Sequence, residues 1–381
     1  MARKTSKTTA PAGPIEVAVV GAGPAGGAVA AALARLGRRV LLIDRHAFPR
    51  PASCAGWVSA RAVPLLDELG VKTKGVLNQP FRDVTLLSDD FTKQSKPCFT
   101  DTVGYLVDRA TFDQGIVEAA VGAGATFLPG SPVADIKLNE AGTELRLEDG
   151  QTVKSRLLVL ASGRDPQILA RVGFLRFPHG SSLLTAQVEA DAPRGARNAD
   201  PKVYVVLGID GGKGFGFIAA GPRRTIVNVS WRGEAGVVHQ HLANVCRRAV
   251  EHKLIPTDLT ERSSSAEIIR SPAAVALDMD THVGKHTLLI GDAGGFVSAG
   301  SNEGIYPAIW SATLAAKAIV KALDSRYSQD DLMSFDSLWR MAMADHLRLP
   351  HTDIRFLLPL IFSNQPMADR MGAAFFFGDN I

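Results

Sequence analysis

Residues 15–44 read IEVAVVGAGPAGGAVAAALARLGRRVLLID, and this stretch decides the fold. Residues 15–20 form an apolar run that is typical of a buried strand. A glycine-rich segment follows, residues 28–36 are rich in helix formers, and residues 39–43 predict a second buried strand ending at Asp44. Strand, glycine turn, helix, strand and acid in this order predict a dinucleotide-binding unit, in which Asp44 accepts hydrogen bonds from a ribose.

The glycine turn GAGPAG, residues 21–26, has a defined task at each position. Gly21 allows the tight turn out of the strand, Gly23 lets the backbone approach a pyrophosphate, and Gly26 lets helix and strand pack closely. Pro24 and Ala25 begin the helix, whose N-terminal N–H groups and dipole attract phosphate. We therefore expect all five residues to bind the dinucleotide.

A second glycine motif, GDAGG at residues 291–295, follows the apolar run of residues 286–290. Its position near the C-terminus indicates FAD rather than NAD, with Gly291 in the turn and Asp292 holding a ribitol hydroxyl. Residues 300–305 then open a long helix that runs through Ala322. The helix start at Gly304 and Ile305 is expected against the pyrimidine edge of the flavin, where a helix N-terminus stabilises negative charge.

Composition excludes several classes of function. The chain has 381 residues, a net charge of +4 and scattered Lys and Arg, so no nucleic-acid footprint is expected. No apolar run reaches the ~20 residues of a spanning helix, and the basic start of residues 1–14 predicts a disordered tail rather than a secretory signal. The cysteines Cys54, Cys98 and Cys246 form no CxxC pair, which argues against a metal or iron–sulfur site. A cytoplasmic location is the default expectation.

The segment YLVDRATFD, residues 105–113, lies between the two glycine motifs. With the glycine turn, the stretch of residues 291–305 and the loop CAGWVS at residues 54–59, it resembles the geranylgeranyl reductase branch of the flavoproteins that share the para-hydroxybenzoate hydroxylase fold. The resemblance covers about residues 15–325. It departs from the family pattern at Ala299, Asn302 and Ser162, and residues 215–220 replace an aromatic run, so substrate identity does not carry over.

The resemblance implies a set of FAD contacts beyond the glycine motifs. Arg109 is expected to approach the FAD, and the loop of Cys54, Ala55 and Gly56 is expected beside the isoalloxazine. The remaining expected cofactor contacts are Arg45, Val133, Ala161 and Gly163.

The predicted fold class is α/β. It comprises a Rossmann-like FAD-binding domain (glutathione reductase type 2, para-hydroxybenzoate hydroxylase-like), an antiparallel-sheet substrate domain and a helical C-terminus. We assign residues 15–170 and 282–325 to a discontinuous FAD-binding domain with a strand insertion near 81–107. Residues 171–281 are assigned to the substrate sheet and residues 326–381 to a C-terminal apolar cap. Within the first domain, residues 59–68 predict a helix and Asp149-Gly150 a hairpin turn.

The implied chemistry is hydride transfer from N5 of reduced flavin to a carbon–carbon double bond in an isoprenoid or other apolar substrate. Such a substrate needs an apolar tunnel, for which the candidate lining residues are Trp57, Phe215, Phe217 and Trp231. By its position in the resembling family, Cys54 is a candidate for donating the proton or for positioning a water molecule. Only one dinucleotide fingerprint exists, so the electron donor is NAD(P)H bound transiently, a ferredoxin or another redox donor protein.

Two alternatives use the same fold. One is an FAD-dependent monooxygenase of an aromatic or polyketide-like substrate, a reading that Ser162 weakens because it stands where the superfamily has an aspartate. The other is a cyclase or isomerase that uses FAD without net redox change. Oxygen dependence separates the monooxygenase from the reductase, and net consumption of reductant separates both from the isomerase.

The C-terminal segment carries its own pattern. Leu332, Phe335, Trp339 and Met343 follow helical spacing, which predicts a packed helix. The apolar stretches of residues 356–362 and 375–377 predict a cap on the substrate tunnel or, alternatively, a peripheral contact with a membrane surface.

Overall fold

The computed structural model describes residues 14–52, 54–174, 183–192, 199–256, 258–325, 328–349 and 352–381. The expected tail therefore lies almost wholly outside the described residues. The strands are β1 Ile15–Val20, β2 Val40–Ile43, β3 Trp57–Ser59, β4 Pro80–Phe81, β5 Val84–Ser88, β6 Gln94–Ser95, β7 Gly104–Leu106, β8 Thr126–Leu128, β9 Val133–Asn139, β10 Gly142–Leu147, β11 Thr152–Leu160, β12 Leu183–Asp191, β13 Lys202–Gly208, β14 Gly214–Ala220, β15 Arg224–Trp231, β16 Ile268–Ser271, β17 Val283–Gly284 and β18 Thr287–Leu289.

The helices range from single turns to twenty residues. They are α1 Pro24–Arg35, α2 Ala62–Glu68, α3 Thr73–Val76, α4 Arg109–Gly122, α5 Pro166–Arg171, α6 Ile209–Gly212, α7 Val238–Glu251, α8 Thr260–Ser263, α9 Val275–Asp278, α10 Ile305–Asp324, α11 Ser328–Leu347, α12 Ile354–Ile361 and α13 Gln365–Phe377. Among the described residues, no helix is long and apolar enough to cross a membrane.

The first sheet holds the dinucleotide-binding unit that the sequence predicts. Strands β18, β11, β1, β2 and β8 run parallel in that order. Alternate residues of β1 point to opposite faces: Val17 and Val19 pack with α1, α4 and α10, whereas Ala18 and Val20 pack beneath the β9–β10 meander. The predicted hairpin is confirmed, because β10 and β11 pair antiparallel around residues 149–150.

The second sheet has the strand order β16-β12-β15-β14-β13-β5-β6. Its long strands pair antiparallel, as predicted, but β13 and β5 run parallel. This pairing corrects the grouping of residues 81–107 with the first domain: β5 and β6 of that insertion extend the second sheet. The reason is that β5 is apolar on both faces and gains a partner on each side.

A small third sheet, β3-β7-β4, corrects the helix expected over residues 59–68. Ser59 ends strand β3 and pairs with Gly104, so the helix begins only at Ala62. Long-range pairing therefore overrides the local preference of this segment.

The packed C-terminal helix that the sequence predicts is confirmed as part of α11. Leu332, Phe335, Trp339 and Met343 of α11 are all buried against α10. Helices α12 and α13 cover one face of the second sheet, whose other face is covered by α7.

Candidate functional site

The loops that follow the parallel strands meet at one edge of the first sheet. The Gly21 amide donates to the Ile43 carbonyl and the Ala161 amide donates to the Val20 carbonyl, each at 2.8 Å. The Ile290 amide donates to the Leu160 carbonyl at 3.1 Å. The two glycine motifs, 270 residues apart in sequence, therefore lie side by side at the carboxyl edge, where sheets of this kind bind dinucleotides.

The glycine turn forms an open cradle. Gly21 has φ +102°, and a Cβ on Gly21 or on Gly26 would collide with backbone, that of Ala161 and of Gly21 respectively. A Cβ on Gly23 would instead meet only the Arg50 side chain, at 3.5 Å. No side chain caps α1 at Gly23, so the first N–H groups of the helix point into this space. The turn thus provides space for a pyrophosphate and backbone N–H groups that can donate hydrogen bonds to it.

Asp44 is held rigidly beside the cradle. Its Oδ2 accepts from the Ala22 amide at 2.8 Å and its Oδ1 accepts from the His46 amide at 2.9 Å. The side chain is buried, and a carboxylate has further lone pairs. It is therefore placed to accept from ribose hydroxyls.

Arg109 lies in a buried ion network that the sequence did not predict. Its guanidinium makes two parallel hydrogen bonds of 2.9 Å to Asp113, and Asp113 is fully buried. Arg50 approaches both Asp113, at 3.7 Å, and Asp44, at 3.8 Å. Burial opposes the charge of Arg109, but Asp113 and Cys54 outweigh it and raise its pKa. One network therefore links the glycine turn to the Cys54 loop.

The Cys54 loop is held by the second sheet and by the segment that follows β7. Cys54 Sγ accepts from the Gly56 amide at 3.3 Å, and the Cys54 carbonyl accepts from Gln187 of β12 at 3.3 Å. Gly56 has φ +67°, and a Cβ there would lie 2.6 Å from the Val107 carbonyl. This explains why glycine occupies this position.

Asp292 lies in the turn that follows β18, and its carboxyl group is close to the start of α10. A Cβ on Gly304, the residue before α10, would lie 3.3 Å from Asp292 Oδ1. Burial raises the pKa of Asp292, and Arg164 and Arg109 oppose that shift. Because α10 begins beside this carboxyl group, Ile305 and its neighbours place helix amides next to it.

For three of the residues predicted to contact the cofactor, the structure shows contacts only with other protein groups. Arg45 forms an exposed ion pair with Asp165 at 3.1 Å. The Val133 carbonyl accepts from Arg171 at 2.7 Å, and Ala55 packs at the edge of the second-sheet core. Their contacts with FAD stay predictions.

The residues at this edge fit an FAD molecule. The cradle, the uncapped helix and Asp44 suit the pyrophosphate and adenosine ribose, and Asp292 suits the ribitol. Ser162 Oγ, next to Ala161 and Gly163, is buried without a hydrogen-bond partner in the described part of the chain. Because buried polar atoms normally have a hydrogen-bond partner, this hydroxyl is available to a group bound at the edge.

Comparison with known proteins gives the same answer. The family described as "FAD binding domain" matches residues 14–338.

The chain belongs to this FAD-binding family. A digeranylgeranylglycerophospholipid reductase of Methanopyrus kandleri is 25% identical over 387 residues, covering 93% of this chain and 96% of the relative. A menaquinone reductase of Mycolicibacterium smegmatis is 31% identical over 203 residues, covering 47% and 49%. A geranylgeranyl bacteriochlorophyll reductase-like structure from Thermoplasma acidophilum superimposes with a TM-score of 0.72 at 17% identity, covering 96% of both chains.

These comparisons confirm the fold class and the resemblance to geranylgeranyl reductases. The protein is an FAD-dependent oxidoreductase.

A cavity of about 440 Å³ opens between the second sheet and the C-terminal helices. Its wall is largely apolar and includes Leu207, Phe215, Leu357, Met371 and Phe375. One end reaches residues 298–300, the loop that leads into α10. The cavity therefore extends from the C-terminal helices to the loop that leads into α10.

Of the four aromatic residues expected to line a tunnel, Phe215 lines this cavity. The other three are buried in the core. Trp57 stacks on Phe217 with ring centroids 6.1 Å apart, and Trp231 packs on His241 at 4.4 Å. Their β-strands turn these side chains inward, which the sequence alone did not reveal. Cys54, the expected proton donor, is also not part of the cavity wall.

The cavity wall includes polar residues that sequence reasoning missed. Arg232 donates to the Ala299 carbonyl at 3.2 Å, and burial lowers its pKa. His346, near the end of α11, also lines the cavity. Neither residue belongs to a recognisable motif, so no local signal pointed to them.

Proposed function

We propose that this oxidoreductase reduces a carbon–carbon double bond in an isoprenoid or similarly apolar substrate. The observation that carries the proposal is the apolar cavity that reaches residues 298–300 beside the α10 N-terminus. When bound, FAD supplies the hydride for such a reduction. The chain's own part is to orient the substrate and to exclude water.

The cavity suits an elongated apolar ligand with one polar end. Phe215, Met371 and Phe375 supply apolar contacts, and Phe215 and Phe375 meet edge to face at 5.4 Å. Arg232 provides a hydrogen-bond donor in the same wall. Apolar pockets with few polar groups are the usual form of sites for such ligands.

The substrate's route of entry is part of the proposal. Helix α12 borders the cavity and exposes Phe356 by 75% and Leu360 by 47%. We propose that this helix touches a membrane surface peripherally, which would let a lipid-soluble substrate enter directly. The segment then serves both as cap and as contact.

The electron donor is proposed to be NAD(P)H or a ferredoxin. The chain has one dinucleotide fingerprint, which FAD uses. A nicotinamide cofactor would therefore bind transiently, and a redox protein would dock from outside.

The deciding experiment is an anaerobic reoxidation assay. The flavin is reduced with dithionite or NADPH, geranylgeranyl diphosphate is added without oxygen, and the flavin absorbance is followed. Recovery of the oxidised spectrum together with a product heavier by two hydrogens is the expected result. Recovery only after air is admitted would instead indicate a monooxygenase or a substrate other than geranylgeranyl diphosphate, and product formation without loss of reductant would indicate an isomerase.

A further inference from the structure

We propose that Glu303 and His346 form the proton-supplying pair of the reaction, with Glu303 holding the proton and His346 passing it into the cavity. The proposal rests on the proposed function, because reduction of a double bond consumes one proton with each hydride. Its structural part, a shared proton between two buried side chains, can be tested without any substrate.

Glu303 is held as a buried acid at the start of α10. It is 3% exposed, and its Oε1 accepts from the Ser59 amide at 3.2 Å. The Tyr306 amide also hydrogen-bonds to this carboxyl group. These donors fix the side chain without supplying a full positive charge.

His346 presents a free ring nitrogen to that acid. Its Nδ1 lies 2.9 Å from the Phe377 carbonyl, and a carbonyl only accepts, so Nδ1 carries a proton. In the neutral ring, Nε2 therefore has a lone pair. Nε2 lies 4.0 Å from Glu303 Oε2 and has no hydrogen-bond partner in the described part of the chain.

Burial shifts the pKa values of both groups so that Glu303 can donate a proton and His346 can accept it. It raises the pKa of Glu303 to about 8 and lowers the pKa of His346 to about 4. At neutral pH the acid is protonated and the imidazole is neutral, so one is a donor and the other an acceptor. An approach of about 1 Å brings them to hydrogen-bond distance.

The other charged and titratable groups around the pair are few. Arg61 disfavours the charged form of His346 and favours that of Glu303, and Asp379 acts oppositely on His346. Arg61 is itself held by the Phe377 carbonyl at 2.6 Å and by Asp379 at 2.7 Å. Tyr306 packs edge to face on the imidazole, with centroids 5.2 Å apart. The pair is therefore enclosed rather than solvated.

Only His346 of the pair reaches the cavity. In the proposed step, the Glu303 Oε2–H bond breaks and the proton moves to His346 Nε2, which is buried beside Glu303; the side chain then rotates to turn this nitrogen toward the cavity. The imidazolium would give the proton to one carbon of the double bond, and FAD held at the glycine turns would supply the hydride for the other carbon. Glu303 regains a proton from water, so atoms and charge balance over one turnover.

The first test measures the acid itself. Infrared difference spectra of the FAD-loaded protein, wild type minus Glu303→Gln, are expected to show a protonated carboxyl band at pH 7 that titrates near pH 8. Glu303→Asp, which keeps an acid, serves if the amide variant does not fold. Nitrogen-15 spectra should assign the proton of neutral His346 to Nδ1. An ionised Glu303 at pH 7, or His346 protonated at Nε2 only, would overturn the proposal.

The second test measures proton delivery. In the anaerobic assay, Glu303→Gln and His346→Gln should reoxidise with substrate about 100-fold more slowly, the lower range for general acid catalysis. FAD content and dithionite reduction should stay unchanged. The wild-type rate should fall above pH 8, and the Glu303→Gln rate should not depend on pH there. Glu251→Gln and His252→Gln, exposed positions at the end of α7, are the matched controls.

The outcomes separate this proposal from the proposed function. If both variants reoxidise at the wild-type rate, or if only Cys54→Ala loses rate, the proposal for Glu303 and His346 is wrong. The proposed reductase function is not affected by either result. If no isoprenoid reoxidises even the wild type, the proposed function fails, and the spectra still decide whether the pair shares a proton.

Discussion

The carboxyl edge of the first sheet, here called the FAD edge, is formed mainly by backbone, whereas the cavity is formed mainly by side chains. The edge is made of backbone turns at Gly21, Gly23 and Gly291, each next to a strand end. The cavity is made of side chains from segments far apart, such as Phe215, His346 and Phe375. A backbone site tolerates almost no change at its glycines, whereas a side-chain site can change its ligand by substitution. Substitutions can therefore change what the cavity of this protein binds without changing the glycine turns.

The buried ion network of the FAD edge should give the largest effect. Asp113→Asn leaves Arg109 and Arg50 without their shared carboxylate, and breaking a buried pair costs about 3–5 kcal/mol. We expect this loss in the free energy of unfolding measured with urea. Asp324→Asn removes an exposed partner of Arg38 and should cost no more than about 1 kcal/mol. Equal costs for the two variants would contradict the structural role of the network.

Gly23→Ala tests whether the cradle serves the ligand rather than the fold. The added Cβ meets only the flexible Arg50 side chain, so the FAD-free protein should unfold as wild type. FAD affinity should fall by about 100-fold, equivalent to about 2.8 kcal/mol, when measured by flavin fluorescence titration. Gly122→Ala, where a Cβ meets nothing within 4 Å, is the control. Unchanged affinity in Gly23→Ala would mean that the pyrophosphate binds elsewhere.

Glu303 should make stability depend on pH on the cavity side. Its pKa rises from 4.5 unfolded to about 8 folded, so its stabilising effect is complete below pH 4.5 and is lost as pH rises toward 8. The pKa of His346 falls from 6.5 in the unfolded chain to about 4 in the folded protein. Its contribution to the stability of the protein is therefore lost as pH falls below 6.5. Of these two residues, only Glu303 changes the free energy of unfolding between pH 6.5 and 8, and its share of the loss is roughly 2 kcal/mol at ~1.4 kcal/mol per pH unit.

The measurement is urea unfolding of wild type and Glu303→Gln across that pH range. Between pH 6.5 and 8 the free energy of unfolding of the variant should fall by roughly 2 kcal/mol less than that of the wild type. A wild-type profile that is already flat would show that Glu303 is ionised in the folded protein.

Substitutions of Asn302 test the contact between the loop before α10 and the second sheet. It has φ +58° where the resembling family has glycine, and its side chain bonds to Thr185, Ser230 and Ser271 across to the second sheet. Asn302→Ala and Asn302→Gly both lose these bonds, but the alanine also strains a left-handed backbone. We expect the alanine variant to be less stable by about 1 kcal/mol in thermal unfolding. Equal stabilities would show that the backbone relaxes.

Exposed residues of α12 should give the smallest effect on stability. Phe356→Ser with Leu360→Ser should change the free energy of unfolding by less than about 0.5 kcal/mol. Binding to anionic phospholipid vesicles should nevertheless weaken, as measured by sedimentation. Met341→Ser removes a side chain of α11 that is 80% exposed and should leave vesicle binding unchanged. The same loss in all variants would argue against a contact through α12.

Sequence reasoning succeeded where a local rule operates. The first glycine turn, Asp44 and the buried face of α11 were all predicted, because glycine spacing and helical periodicity are visible within a few residues. It did not show that Trp57, Phe217 and Trp231 are buried in the core, since an alternating strand has two faces and nothing local says which face borders a cavity. It also missed Asp113 and Glu303, whose burial depends on contacts with Arg109, Ser59 and His346.

The sequence by itself determined the parallel sheet with its glycine cradle and hence the FAD cofactor. These features follow from backbone geometry, which a short segment specifies. Only the tertiary structure decided which residues enclose the cavity, that β5 and β6 join the second sheet, and that Glu303 faces His346. Those choices depend on desolvation and packing between segments 40 to 250 residues apart, and no single segment encodes them.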